Sequence, residues 1–310
     1  MPEEYVCAVR IETYKTWPKG YYHLSTDGKW DGTIFHTPEL FAFGMTLLGL
    51  VTLHFPLKLY DFSLMDNHLH LLLSGTGKVC TDAFHYMVRK LNIRLGEAGW
   101  PPLPENYGFK LVPVESKEQL ANVFIYIDRN AYEKQISIPG GYPWSAAMLH
   151  HSKWGAVIKG VCADTLKKRE LIRLTGSRKP VPGNWEFHPV LGLLPKHFVQ
   201  NRKFLELFPT PKAYESRLVK DYEAVVKVAE TLEESVDFSP EEMDGIMNLL
   251  LVNRFNGKTL GTLSNEEKGR LAVMLGKDYH LSPAQIAIVL EMPEYLVKQF
   301  LNSKDFGRRK

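Results

Sequence analysis

The stretch from Ser63 to Gly75 reads SLMDNHLHLLLSG and sets His68 and His70 one residue apart at the head of a leucine run. Side chains at i and i+2 of a strand project to the same face, so the two imidazoles should stand side by side, with Leu69 and Leu71 on the other face. Neighbouring neutral imidazoles make a bidentate site for a divalent metal, one ligand short of a complete shell. The plainer alternative is a pair of hydrogen-bonded polar residues on a half-exposed strand. A second segment, VFIYIDRNAYEK, changes the balance. There Tyr126 and Asn130 stand four residues apart on a predicted helix and share a face with Gln119, Asn122 and Glu133, while Leu120, Val123, Phe124, Ile127 and Ala131 form an apolar side. A phenol and a carboxamide on the polar face of a sheet-packing helix could meet the two histidines.

The elements that would position these groups follow from local pattern. YYHLS, Tyr21 to Ser25, reads as a first strand before an Asp27-Gly28 turn. Thr37-Pro38 opens a helix, threonine as N-cap and proline in the first turn, that holds the apolar run LFAFGMTLLGLVTL. That run is too short for a membrane span of roughly 20 residues and reads as a buried helix. Lys58 to Ser74 reads as two strands joined near Met65 to Asn67 or as one long bent strand, and a helix follows from about Asp82 to Leu95 with His85, Arg89, Lys90 and Arg94 on its polar face. FKLVPV is a short strand, and Ser116 with Gln119 three residues on forms a capping box at the start of the tyrosine helix. The order predicts an α+β fold, one mainly antiparallel sheet with helices on one face, over residues 1–150. Residues 151–185 read as a basic linker or arm, and 186–310 as all-helical with a helix-turn-helix near 270–303, where SPAQIAIVLEM and EYLVKQFLNSK flank Met292-Pro293.

MDNHLHLLLSG, followed about fifty residues later by YIDRNAYEKQ and then by YPWSA, resembles the single-tyrosine HUH transposases, and most closely the REP-associated tyrosine transposases. The resemblance covers roughly residues 15 to 150. It implies a ferredoxin-like or RRM-like HUH domain, with His68 and His70 as metal ligands, Tyr126 as nucleophile and Asn130 completing the shell around Mg2+ or Mn2+. It also implies metal-dependent, site-specific cleavage and strand transfer on single-stranded or hairpin DNA through a 5′-phosphotyrosine, by a monomer or a homodimer. Two positions depart from the family pattern: Asp66 and Ala131 stand where prolines are usual. The competing expectation is a domesticated, catalytically silent DNA-binding regulator.

Charge distribution supplies the candidate DNA contacts. The net charge is only +3, but Lys153 to Lys179 carries eight Lys or Arg against two acids, and Glu215 to Asp244 ten acids against three bases. A cationic surface for single-stranded DNA would draw on Arg89, Lys90 and Arg94 and on Lys167, Lys168 and Arg169, with a solvated charge run as the equal alternative. The helix-turn-helix would turn Tyr295, Lys298 and Gln299 toward duplex DNA, with the tail FGRRK on phosphates. Three widely spaced cysteines and no apolar leader suggest a reducing cytoplasm and no membrane partner. SGTGK at Ser74 to Lys78 lacks the flanking residues of a phosphate loop. His150-His151 reads as the flank of a linker, and His23 as a packing residue, with a contact to a metal ligand or to phosphate as the alternative.

Overall fold

The computed structural model describes residues 11–27, 32–133, 139–151, 154–220, 222–232, 238, 240–279 and 281–302. Gly28, Lys153 and the tail from Phe306 lie outside the described residues. The chain divides into two compact units, Met1–Tyr214 and Glu215–Lys310.

In the first unit β1 (Gly20–Ser25), α1 (Pro38–His54), β2 (Lys58–Leu64), β3 (Leu69–Gly75), α2 (Gly77–Glu97) and β4 (Lys110–Val114) follow one another. The strands form one antiparallel sheet in the order β2-β3-β1-β4, which is a split β-α-β arrangement. Thr37 caps α1, accepting from the Leu40 backbone N–H at 3.4 Å with Pro38 in the first turn. Such a cap contributes about 1 kcal/mol. Asp66 and Asn67 make the turn between β2 and β3, closed by the Met65 N–H donating to the His68 carbonyl at 2.9 Å. Asp66 is exposed, and its carbonyl accepts from Ile34 and Phe35, so its role is to hold the neighbouring loop.

Helices lie on both faces of the sheet, not on one as the pattern predicts. Leu71, Leu73, Tyr22 and Leu24 join a core with Leu48, Phe84 and Met87 of α1 and α2. The opposite face carries His70, Leu72, Asp61, Ser63 and His23, as the register requires, and is covered by α3 (Lys117–Glu133). Ser116 and Gln119 cap α3 reciprocally, Gln119 N–H to Ser116 Oγ at 3.0 Å and Ser116 N–H to Gln119 Oε1 at 3.1 Å. Ala131 is buried within α3, where a proline would interrupt the backbone hydrogen bonds that carry the helix to Glu133.

The boundary expected near residue 150 falls inside the first unit. Residues 161–193 contribute β5 (Val161–Cys162), α4 (Lys168–Thr175), β6 (Glu186–His188) and β7 (Gly192–Leu193), with the strands in one small antiparallel sheet. The segment expected as a linker is therefore folded, and the chain is not all-helical from 186. The cause lies in α1, whose residues Phe43 to Val51 are all buried. A helix apolar all round must be covered on both sides. The four-stranded sheet supplies one cover and β7 the other, where Gly192, at φ 73°, lies so close that a Cβ would fall 2.0 Å from the Ala42 carbonyl oxygen. The Leu193 N–H donates to Thr46 Oγ1 at 3.2 Å in the same seam. Two further helices, α5 (Arg202–Leu207) and α6 (Pro211–Lys220), follow.

The second unit is helical: α7 (Tyr222–Leu232), α8 (Pro240–Arg254), α9 (Asn265–Asp278), α10 (Pro283–Val289) and α11 (Glu294–Asn302). Ser264 with Glu267 and Ser282 with Gln285 form capping boxes that start α9 and α10. A tight turn at Leu290–Pro293 joins α10 to α11, with Glu291 in the left-handed region at φ 52°. Leu271, Leu275, Ile286, Leu290 and Val297 are buried. Among the described residues no helix is long and apolar enough to cross a membrane, and Cys80 and Cys162 are free thiols.

Candidate metal and nucleophile site

The alternation of β3 puts His68, at its mouth, and His70 on the face beneath α3, with ring centroids 5.0 Å apart. Tyr126 points from α3 into the same space, its ring centroid 5.5 Å from His70 and 5.8 Å from His23. Asn130, one helical turn later, brings Oδ1 to 3.4 Å from His68 Nε2. The four residues predicted to act together are therefore neighbours. His23 joins them, and its Nε2 lies 3.3 Å from His70 Nδ1, a contact more specific than the packing role expected of it.

The hydrogen bonds assign the rings. His68 Nδ1 lies 2.7 Å from Asn67 Oδ1, a distance for a good bond, so the proton belongs there and Nε2 presents its lone pair to Asn130. The Asn130 amide nitrogen donates to the Tyr126 and Ile127 carbonyls at 3.1 Å each, which turns its oxygen toward the histidine. Two acceptors thus face each other across 3.4 Å. That separation is close to what two ligands roughly 2.1 Å from one ion would have. His70 and His23 are buried, and burial pushes the His70 pKa down to about 3 and that of His23 well below its ordinary value, with the nearby His70 adding to the His23 shift. Both rings are neutral near pH 7, the form that ligates metal. His68, His70 and Asn130 thus bring donor atoms of the kind a divalent ion takes to one place.

Around the site, YPWSA backs the end of β2. The Leu64 N–H donates to the Trp144 carbonyl at 2.9 Å, Tyr142 Oη donates to the Leu64 carbonyl at 2.6 Å, and Ser145 bridges to Ser63. The outer side of α3 is also covered, by Phe204 of α5 (5.6 Å from Phe124, between centroids), by Phe208 and by Tyr214 of α6. The tyrosine helix is consequently buried around its circumference from Val123 to Ala131.

Sequence reasoning missed a second polar cluster under α3. Asp128 Oδ2 accepts from Tyr214 Oη at 2.7 Å and from His150 Nδ1 at 2.9 Å. Asp61 of β2 is close by: one ligand atom from each of Asp61, Asp128 and His150 lies within 4.8 Å of the others. His150, expected beside a linker, is buried and stacks on Phe204 at 3.7 Å between centroids. This buried group has the donor chemistry to hold a metal ion. Burial, followed by the Asp128 charge, pushes the Asp61 carboxyl well above its ordinary value. The local signal was an aspartate in the interior of β2, between Tyr60 and Phe62.

The predicted DNA-contacting residues are dispersed. Arg89 is exposed, its guanidinium 5.7 Å from the Tyr86 ring centroid. Lys90 Nζ donates to the Gly176 carbonyl and Arg94 to the Arg173 carbonyl, each at 2.6 Å, so both clasp the C-terminal end of α4. Two cations at the negative end of a helix dipole account for their placement. Lys167, Lys168 and Arg169 are exposed at the start of α4. Lys298 and Gln299 are exposed on α11, where Lys298 pairs with Glu294 at 2.7 Å. No family model, curated protein or solved structure matches the chain.

Proposed function

We propose that this protein is a metal-dependent nuclease and strand transferase for single-stranded, stem-loop DNA, with Tyr126 as the nucleophile. The observation that supports this reading is the convergence of Tyr126, His68, His70 and Asn130, from β3 and α3, on one space beneath the sheet-packing helix. Nothing in a core requires a phenol, three imidazoles and a carboxamide at one point. The resemblance in their order along the chain supplies the reaction class.

His68, His70 and Asn130 would hold Mg2+ or Mn2+, which when bound polarises a phosphate and stabilises charge developing on its oxygens. The Tyr126 oxygen would attack phosphorus, form a 5′-phosphotyrosine bond and release a 3′-hydroxyl. That hydroxyl could then attack a phosphotyrosine and rejoin DNA with no external energy source, because each step exchanges one phosphodiester for another. The hydrogen bond to Asn67 orients the His68 ring, and His23 orients His70. Arg89, Lys167, Lys168 and Arg169 offer phosphate contacts, and the two short helices α10 and α11 are read as a helix-turn-helix for duplex DNA.

The test uses labelled stem-loop DNA from the inverted repeats flanking the gene, with Mg2+ or Mn2+. The expected result is a covalent protein–DNA adduct that disappears in Tyr126→Phe. An adduct that survives this substitution, or its absence on every flanking repeat, would sink the assignment. One observation favours a catalytically silent DNA-binding regulator instead: His70 and Tyr126 are 1% and 8% exposed. In that case specific binding persists unchanged in Tyr126→Phe and His68→Ala, and no adduct forms.

A further inference from the structure

The cluster of Asp61, Asp128 and His150 shares no residue with the site just described. Its three side chains come from β2, α3 and the segment after Ala146–Leu149. One polar atom of each residue is left over once the internal hydrogen bonds are made. Asp61 Oδ1 accepts from the Phe62 N–H at 2.8 Å, whereas Asp61 Oδ2, Asp128 Oδ1 and His150 Nε2 are buried with no hydrogen-bonding partner among the described residues.

No placement of protons satisfies the group. A proton on Asp61 Oδ2 makes a buried donor without an acceptor, and its removal makes a buried charge without a partner. With the His150 proton on Nδ1, toward Asp128, the Nε2 lone pair is stranded; with the proton on Nε2, that donor is stranded and two acceptors meet at 2.9 Å. A divalent cation resolves the charge, since two buried carboxylates and one such ion sum to zero. One ligand atom from each residue lies within 4.8 Å of the others, and they would draw together to separations of roughly 3.4 Å around bonds of roughly 2.0–2.2 Å. Tyr214, donating to Asp128 Oδ2, supplies the outer hydrogen bond that orients a ligating carboxylate.

We propose that Asp61, Asp128 and His150 form a second, closed divalent-metal site that ties the tyrosine-bearing helix α3 to strand β2. The mixed oxygen and imidazole set favours a first-row transition ion such as Zn2+ over Ca2+ or Mg2+, which prefer oxygen shells of six or more. Asp128 lies two residues from Tyr126, so the ion would fix the height of that helix over β3 while taking no part in chemistry.

The experiment titrates Zn2+ into EDTA-stripped full-length His68→Ala/His70→Ala protein against a chromogenic chelator. That background removes the other candidate site, so the outcome is independent of the proposed strand-transfer activity. One equivalent should bind, and adding Asp61→Asn or His150→Gln should weaken it on the order of 100-fold. X-ray absorption of the loaded double variant should show an oxygen and nitrogen shell with a single imidazole, a readout that does not depend on further substitutions folding. Failure to bind an equivalent with native circular dichroism retained, binding indifferent to Asp61→Asn, or a shell containing two imidazoles would each overturn the proposal.

Discussion

His68 Nε2 and Asn130 Oδ1 lie 3.4 Å apart although 62 residues separate them in sequence. Each is held there by other bonds, His68 by Asn67 and Asn130 by two carbonyls of its own helix. Neither orientation depends on the contact between them. The pair is thus pre-set to receive something between the two atoms, which is the condition for a site that does not have to reorganise on binding.

The direct consequence concerns metal affinity. If the proposed site holds the ion, Asn130→Ala removes one ligand and leaves both histidines, so Mn2+ affinity should fall by roughly 10- to 100-fold, as for loss of a supporting ligand group. Electron paramagnetic resonance of free Mn2+ in a titration measures this. An unchanged affinity would show that the carboxamide is a helix-capping residue only.

The buried histidines also fix the sign of an acid response. His70 and His23 stay neutral in the folded protein well below pH 6.5, while in the unfolded chain each takes up a proton near pH 6.5. The unfolded state therefore binds more protons below that pH. Their contribution is fully present above about pH 6.5 and is lost as pH falls toward the folded value, about 3 for His70. His70→Gln removes one such proton, so the slope of unfolding free energy between about pH 4 and 6 should flatten by roughly 1 kcal/mol per pH unit. Urea denaturation of EDTA-treated protein reads the slope, and equal slopes for variant and parent would mean that His70 is protonated in the folded state. Asp61, raised by burial, works in the opposite direction in this window and is common to both proteins.

How much of this could be seen in the sequence depended on the range of the interaction. The period-two alternation at His68 to Leu71 and the three- and four-residue spacing around Tyr126 are local, and both put side chains where the pattern indicates. The caps at Thr37 and Ser116 are local too. The burial of α3 on its outer side comes from Phe204, Phe208 and Tyr214, more than seventy residues downstream, and nothing near Asp128 announces them. Strands of two or three residues such as β5, β6 and β7 are too short to show a period, which is why a basic composition there suggested a linker. Lys90 and Arg94 looked like a DNA-facing pair because a charge on a helix face does not reveal a carbonyl 86 or 79 residues away.

The seam between α1 and β7 predicts a severe effect from a small change. Gly192→Ala places a Cβ 2.0 Å from the Ala42 carbonyl oxygen at φ 73°, so both strain and a backbone clash oppose it. Stability of the first unit should fall by about 2–4 kcal/mol. A thermal unfolding midpoint within a degree of the parent protein would mean that β7 does not seal the helix.

In the second unit the turn before α11 works against itself. Glu291 occupies a left-handed position that glycine adopts without cost, while the Met292 N–H closes the helix end on the Ala287 carbonyl at 3.0 Å. Glu291→Gly should stabilise this unit by about 1 kcal/mol. Chemical denaturation followed by circular dichroism checks it, and a loss of stability would mean that the glutamate side chain contributes more than its backbone costs.

The dispersed cations separate binding from scaffolding. Arg94 lies over the Phe43 ring at 4.4 Å and donates to the Arg173 carbonyl, so Arg94→Ala should lower stability by about 1–2 kcal/mol. Arg89, Lys167, Lys168 and Arg169 are exposed. If they meet phosphates, changing any one to alanine should leave stability unaltered and reduce the salt dependence of single-stranded DNA binding by about 0.7 in log–log slope per contact. Fluorescence anisotropy at several salt concentrations gives that slope. A full slope retained after all four substitutions would remove this surface from the DNA path and leave Arg94 and Lys90 explained by the helix end they hold.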